Sequence, residues 1–197
     1  MERSQVLALQ KTRNRDFIHQ VERESGQRVS KCYQCGNCSA SCNYTPVYDY
    51  PANQIMRLIQ LGQEEMVLRS RSIWLCANCQ ACTTRCPCNI DVARVMESLR
   101  VMSVDKEMVS IKKIRLFYDE FLNSVKTFGR VFEVGLLATY CIKAGKPFTD
   151  LDLGPKVLKK RKLAIKPHVN RDRQAVADIF ERFEAYRQSR NQTKSIQ

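Results

Sequence analysis

The sequence predicts an all-α protein in which two cysteine-rich loops are set among helices. Three observations lead there. Apolar residues recur at helical spacing in most of the 197-residue chain. Nine of its ten cysteines fall between Cys32 and Cys88. The segment joining the two cysteine groups carries a helical stripe where β-hairpin sequence would be needed to build a small β-rich ferredoxin.

The cysteines make the same phrase twice. Cys32, Cys35, Cys38 and Cys42 form a C-x2-C-x2-C-x3-C run, and Cys76, Cys79, Cys82 and Cys86 repeat it, with Pro87 after the fourth. This is the bacterial ferredoxin ligand run. Three cysteines two residues apart can wrap one cubane cluster in a tight loop. The fourth leaves on the following element, and in two-cluster ferredoxins it ligates the other cluster. The spacing therefore predicts two [4Fe–4S] clusters, one on Cys32, Cys35, Cys38 and Cys86, the other on Cys42, Cys76, Cys79 and Cys82. Structural zinc usually takes two C-x2-C pairs without an evenly spaced triplet. A disulfide framework belongs to short secreted chains, and M-E-R-S-Q-V-L at the start has no signal-peptide pattern. Cys88 is the odd cysteine of the second run, expected as a small residue beside a cluster. Cys141, between Tyr140 and Ile142, is expected to be a buried, inert thiol.

In chain order, Ser4 to Glu24 reads as a helix through Val6, Leu9, Phe17, Ile18 and Val21, closed by Gly26. His19 on it is expected to be exposed or packed, not a ligand. Gly36 lies between the second and third cysteines, where backbone must approach a cluster. Asn43 stands where the ferredoxin run usually has proline. Pro51 can open a helix as its first residue, followed by Ile55, Met56, Leu58, Ile59 and Leu61, with Gly62 at the end. Glu64 to Arg69 reads as a short helix. Trp74, the only tryptophan, is expected to pack beside a cluster and shield it from water. Asn89-Ile90-Asp91 opens a helix striped by Val92, Val95, Met96, Leu99 and Met102.

Beyond Lys106 the cysteine chemistry stops. Ile111, Ile114, Phe117, Phe121, Leu122 and Val125 mark a long amphipathic helix that Gly129 can break. Val131 to Ala144 reads as another, closed by Gly145. Asn170 or Asp172 can cap a last one carrying Val176, Ile179, Phe180, Phe183 and Tyr186. Two domains are expected, 1–104 around the cysteines and 105–197 as a helical extension that docks partners. Lys156, Lys159, Lys160, Arg161, Lys162 and Lys166 lie among Leu158, Leu163 and Ile165 with no acidic residue between, so this stretch is expected to be the docking surface.

The formal charge is +13, and two clusters at about −2 each would bring it to about +9. Such a balance suits nucleic acid, anionic lipid or an acidic protein; the cysteines favour protein partners, toward which charge steers encounter. No segment reaches the roughly 20 apolar residues of a membrane span. Together with reduced thiols, this predicts a cytoplasmic protein without a transmembrane segment.

With these residues in view, the chain resembles the C-type iron–sulfur component of heterodisulfide reductase. The resemblance rests on G-Q-R-V-S-K-C-Y-Q-C-G-N-C-S-A-S-C and I-W-L-C-A-N-C-Q-A-C-T-T-R-C-P-C-N-I-D-V, close from about Gly26 to Arg100 and looser in G-R-V-F-E-V-G-L-L. It implies an α-helical ferredoxin fold, similar to the C-terminal half of succinate dehydrogenase iron–sulfur proteins, with two [4Fe–4S] clusters on the crossed cysteines. It also implies a heterodisulfide reductase-like hetero-oligomer, with electrons relayed between a flavin-containing A component and a disulfide-active B component. The chain has no C-x-C-C-G type phrase, so the substrate chemistry is expected elsewhere. Two other readings remain: the iron–sulfur component of a different respiratory oxidoreductase, of fumarate reductase or glycolate oxidase type, and a cluster-based regulator. The latter lacks a helix-turn-helix phrase, and no nucleic-acid partner is expected. No nucleophile–base pair or nucleotide-binding glycine loop is present, so no catalytic residue is assigned.

Overall fold

The computed structural model describes residues 13–145 and 166–194. All the regular structure among them is helical, as the apolar periodicity predicts. The chain divides into two compact units, Met1–Ile111 and Lys112–Gln197.

The first unit holds seven α-helices among its described residues. They are α1 (Phe17–Ser25), α2 (Asn37–Ala40), α3 (Ala52–Gln60), α4 (Glu64–Leu68), α5 (Ser72–Leu75), α6 (Ala81–Thr84) and α7 (Val92–Asp105). The stripe on α7 explains its central place. Val92, Val95, Met96, Leu99 and Met102 are all buried, and the helix packs against α1, α4, α5 and α6. Helix α3 buries Ile55, Met56, Leu58 and Ile59 against α1, α2 and α4. Phe17, Val21, Val29, Leu68 and Ile73 complete this core. Each such side chain contributes about 1.5–3 kcal/mol on burial. The core lies behind the cysteine loops and holds them from one side.

Three details differ from the sequence expectation. Among the described residues the first helix starts at Phe17, with 13–16 not helical, and residues 4–12 of the span expected from Ser4 lie outside the described residues. A tertiary contact stops it: the Asn14 N–H donates to the Gly62 carbonyl at 3.0 Å, and the Asn14 side chain accepts from the Asp16 N–H at 3.0 Å. These bonds hold residues 14–16 in a turn. Gly62 permits the approach, since its φ is +69° and a Cβ there would meet the Asn14 oxygen at 2.4 Å. Pro51 is the N-cap of α3 in an extended conformation, not its first residue. Trp74 is buried among the helices but lines neither cysteine-bordered cavity, because α5 turns its apolar residues to the core. His19 is exposed.

The second unit is built on α8 (Lys112–Phe128), with α9 (Glu133–Lys143) and α10 (Arg173–Lys194) packed against it. Gly129 breaks the chain after α8 at φ +73°. Phe117 meets Tyr140 edge-on at 5.6 Å. Leu136 is buried, and Glu120, also buried, accepts from Lys143 at 2.5 Å. Cys141 is half-exposed rather than buried. Most of the basic stretch from Lys156 to Lys166 lies outside the described residues. No helix among the described residues is long and apolar enough to cross a membrane.

Candidate metal centre

The duplication seen in the cysteines extends to the backbone. After Cys32 the chain takes positive φ at Gln34 (67°) and Gly36 (82°); after Cys76 it does so at Asn78 (55°) and Gln80 (66°). The left-handed residues therefore fall two and four positions past the first cysteine in both runs. Each loop then enters a one-turn helix, α2 or α6, that carries the third cysteine. The fourth, Cys42 or Cys86, follows the end of that turn, so it leaves in a different direction from the triplet. Helices α2 and α6 pack on each other, which brings each fourth cysteine beside the other run.

Two cavities result. The first, about 360 Å³ counting its open mouth, is lined by Cys32, Cys35, Cys38, Cys86 and Cys88, with Met56, Ile90 and Val92 as apolar wall. The second, about 400 Å³, is lined by Cys42, Cys76, Cys79 and Cys82 together with Cys38, and walled by Ala52, Ala77, Ala81, Ala93 and Met96. Small alanines leave room there. No carboxylate lines either cavity, so the donor set is sulfur alone. Among the described residues no three Cys, His, Asp or Glu side chains are gathered tightly enough for a single metal ion. Zinc draws its thiolates to about 2.3 Å from one atom. A cubane takes one thiolate at each corner iron, so thiols ringed around a cavity suit it better.

Protonation tells the same story. Burial pushes the Cys38 thiol above its ordinary value. Burial, with the neighbouring Cys76, pushes Cys82 up to about 11. At these two cysteines a bare thiolate is thus disfavoured, and a metal group would displace the proton on binding.

Cys86 and Cys88 behave differently. The Cys86 sulfur accepts from the Ile90 N–H at 3.4 Å, as a thiolate ligand can. The Cys88 thiol donates to the Lys31 carbonyl at 3.1 Å and so uses its proton. The Cys32 sulfur accepts from Gln34 Nε2 at 3.4 Å. At the second cavity Tyr48 is half-buried beside Cys42 and Cys76, and burial with those thiols raises its pKa.

Several residues that position the loops were not singled out in the sequence. Ser39 and Thr83, each directly after the third cysteine, tie their loop to the next long helix. Ser39 donates to Asn53 Oδ1 at 2.6 Å and accepts from the Asn53 N–H at 2.9 Å. Thr83 donates at 2.9 Å to Asp91, the N-cap of α7, whose carboxylate also accepts from the Arg94 N–H at 3.0 Å. Gln60 donates to the Cys32 carbonyl at 2.8 Å, and Arg100 to the Cys76 carbonyl at 3.0 Å. Each run is thus held at its first cysteine by a side chain from a core helix. Asp49 clasps the approach to the second run, accepting from the Ser70 hydroxyl at 2.7 Å and from the N–H groups of Arg71 and Ser72 at 2.7 and 2.9 Å. The hydroxyl at position 39 or 83 was a readable signal, because it repeats in register. Asp49 left none, being one acid between two tyrosines.

Comparison with known proteins agrees with this picture. Residues 28–90 match the model of the 4Fe-4S dicluster domain. A Methanopyrus kandleri protein, named as the iron-sulfur C subunit of CoB--CoM heterodisulfide reductase, is 32% identical over 101 residues, 47% of this chain and 53% of the relative. The C subunit of the Methanosarcina acetivorans ferredoxin:CoB-CoM heterodisulfide reductase is 34% identical over 91 residues, 46% of this chain and 36% of the relative. A Methanocaldococcus jannaschii protein, named as the second iron-sulfur C subunit of CoB--CoM heterodisulfide reductase, is 27% identical over 152 residues, 71% and 81% of the two chains. The match thus spans about half of the first relative's length and about a third of the second's. Residues 28–90 are thus similar to a 4Fe-4S dicluster domain, in a chain similar to the C-type iron–sulfur proteins of heterodisulfide reductase.

Proposed function

We propose that this chain is the electron-transfer component of a heterodisulfide reductase-like complex, holding two [4Fe–4S] clusters and passing electrons between a flavin-bearing partner and a disulfide-active one. The observation that carries the reading is the pair of sulfur-lined cavities sharing a wall at Cys38. When bound, a cubane supplies reversible one-electron storage. Cys32, Cys35, Cys38 and Cys86 would hold one cluster, and Cys42, Cys76, Cys79 and Cys82 the other. The donor–acceptor contrast supports Cys86 over Cys88, since Cys88 spends its proton on Lys31. The residues around the cavities are suited to holding rather than transforming. Gln60 and Arg100 fix the loops, and apolar walls limit water. Neither cavity offers an acid–base pair, so disulfide chemistry falls to a partner. The helical extension expected as residues 105–197 would serve docking, with the basic stretch near Lys159 as one contact.

The reading makes a clear division of labour. Purified alone and without oxygen, the chain should be reduced by dithionite and reoxidised reversibly, yet catalyse no disulfide reduction. With its flavin-bearing and disulfide-active partners added, turnover should appear. Disulfide reduction by the isolated chain at the rate of the complex contradicts the proposal.

A further inference from the structure

The two sites are built alike but are not charged alike. At the first, the carbonyl of the leading cysteine, Cys32, accepts from the neutral amide of Gln60 at 2.8 Å. At the second, the equivalent carbonyl, that of Cys76, accepts from the guanidinium of Arg100 at 3.0 Å. These are corresponding positions, each supplied by a long helix of the core, α3 or α7. One carries no charge and the other carries +1 at any working pH. Arg100 is half-buried, so water screens it less than the exposed Lys31 and Arg85 that flank the first site. The first site has two hydrogen bonds to sulfur, from Gln34 Nε2 to Cys32 and from the Ile90 N–H to Cys86, each long at 3.4 Å; a full fixed charge acts more strongly and over a longer range than such contacts.

Reduction of a cubane adds one electron, breaks no bond and makes its site more negative by one charge. A fixed cation and hydrogen bonds to ligand sulfur both favour that more negative state. We propose that Arg100 makes the cluster held by Cys42, Cys76, Cys79 and Cys82 the more readily reduced of the two. An electron given to the protein then rests at the second site, which sets a direction within the chain. The inference rests on the two-cluster reading above.

The test is a redox titration of the anaerobically purified full chain, with dithionite as reductant and the reduced clusters followed by electron paramagnetic resonance. Iron and sulfide are counted first. Parent protein should show two midpoints. Arg100→Gln keeps a hydrogen-bond donor but removes the charge. It should lower the higher midpoint by about 59 mV, a tenfold loss in the one-electron partition, and move the lower one less than half as far. Arg100→Lys should restore most of the shift. Gln60→Lys, which puts a charge at the equivalent carbonyl of the first site, should raise the lower midpoint, and it decides the matter where Arg100→Gln fails to hold its clusters. If Arg100→Gln and Gln60→Lys leave these midpoints in place, or each moves the other midpoint instead, the assignment is overturned while the two-cluster reading stands. A parent preparation with fewer than about eight irons overturns both.

Discussion

Cys86→Ser is expected to remove the cluster attached to Cys32, Cys35 and Cys38, far away in sequence, and to spare the one attached to its own neighbours Cys76, Cys79 and Cys82. Iron should fall by half, from about eight to about four per chain. The reason is topological. Helices α2 and α6 pack together, and the chain past α6 delivers Cys86 to the first cavity along with Cys32, Cys35 and Cys38. Serine is a poor cubane ligand, so that site loses a quarter of its attachment. Cys88→Ser should leave both clusters in place, because a serine hydroxyl can still donate to the Lys31 carbonyl. Quantified iron together with the spectrum of each variant checks this. A silent Cys86→Ser beside a Cys88→Ser that strips a cluster would reverse the ligand assignment.

Asp49→Ala should lower stability by about 1–3 kcal/mol. The carboxylate accepts from two N–H groups and from the hydroxyls of Ser70 and Ser72, and the alanine leaves all of these but the Ser72 N–H, which also donates to Ser70 Oγ at 3.1 Å, without their acceptor. Burial alone would push its pKa up, but the bonds from Ser72, Arg71 and Ser70 outweigh it and hold the carboxyl below its ordinary value. A folded pKa below the unfolded one means the carboxylate's contribution is full above the unfolded value, about 3.9, and fades as pH falls through the folded value. The stability difference between parent and Asp49→Asn should therefore stay constant from about pH 8 to about pH 5 and close only in stronger acid. Thermal unfolding across that range measures it. A difference already shrinking at about pH 6 would point to another group.

Much of the site was legible because cubane ligation is written locally: the spacing of Cys32, Cys35 and Cys38 repeats at Cys76, Cys79 and Cys82, and Gly36 marks one of the left-handed turns. Helices α3, α4, α7, α8 and α9 were legible for a similar reason, since a stripe such as Val92–Met102 faces one core, whereas the single turns α5 and α6 are too short to show a period. What escaped depends on contacts between distant segments. The start of α1 is decided by Asn14 meeting Gly62, far along the chain, which periodicity cannot show. Trp74 could equally well face a cluster or the core, and only the packing of α5 chooses. Gln60 and Arg100 look like ordinary polar positions on amphipathic helices until each is seen to hold a cysteine carbonyl.

The central claim, two cubanes on the duplicated cysteines, is tested most directly by metal and sulfide analysis of the chain purified without oxygen. The account predicts about eight irons and eight acid-labile sulfides per chain, with visible absorption that bleaches on reduction. Stoichiometric zinc, no sulfide and no visible band would contradict it.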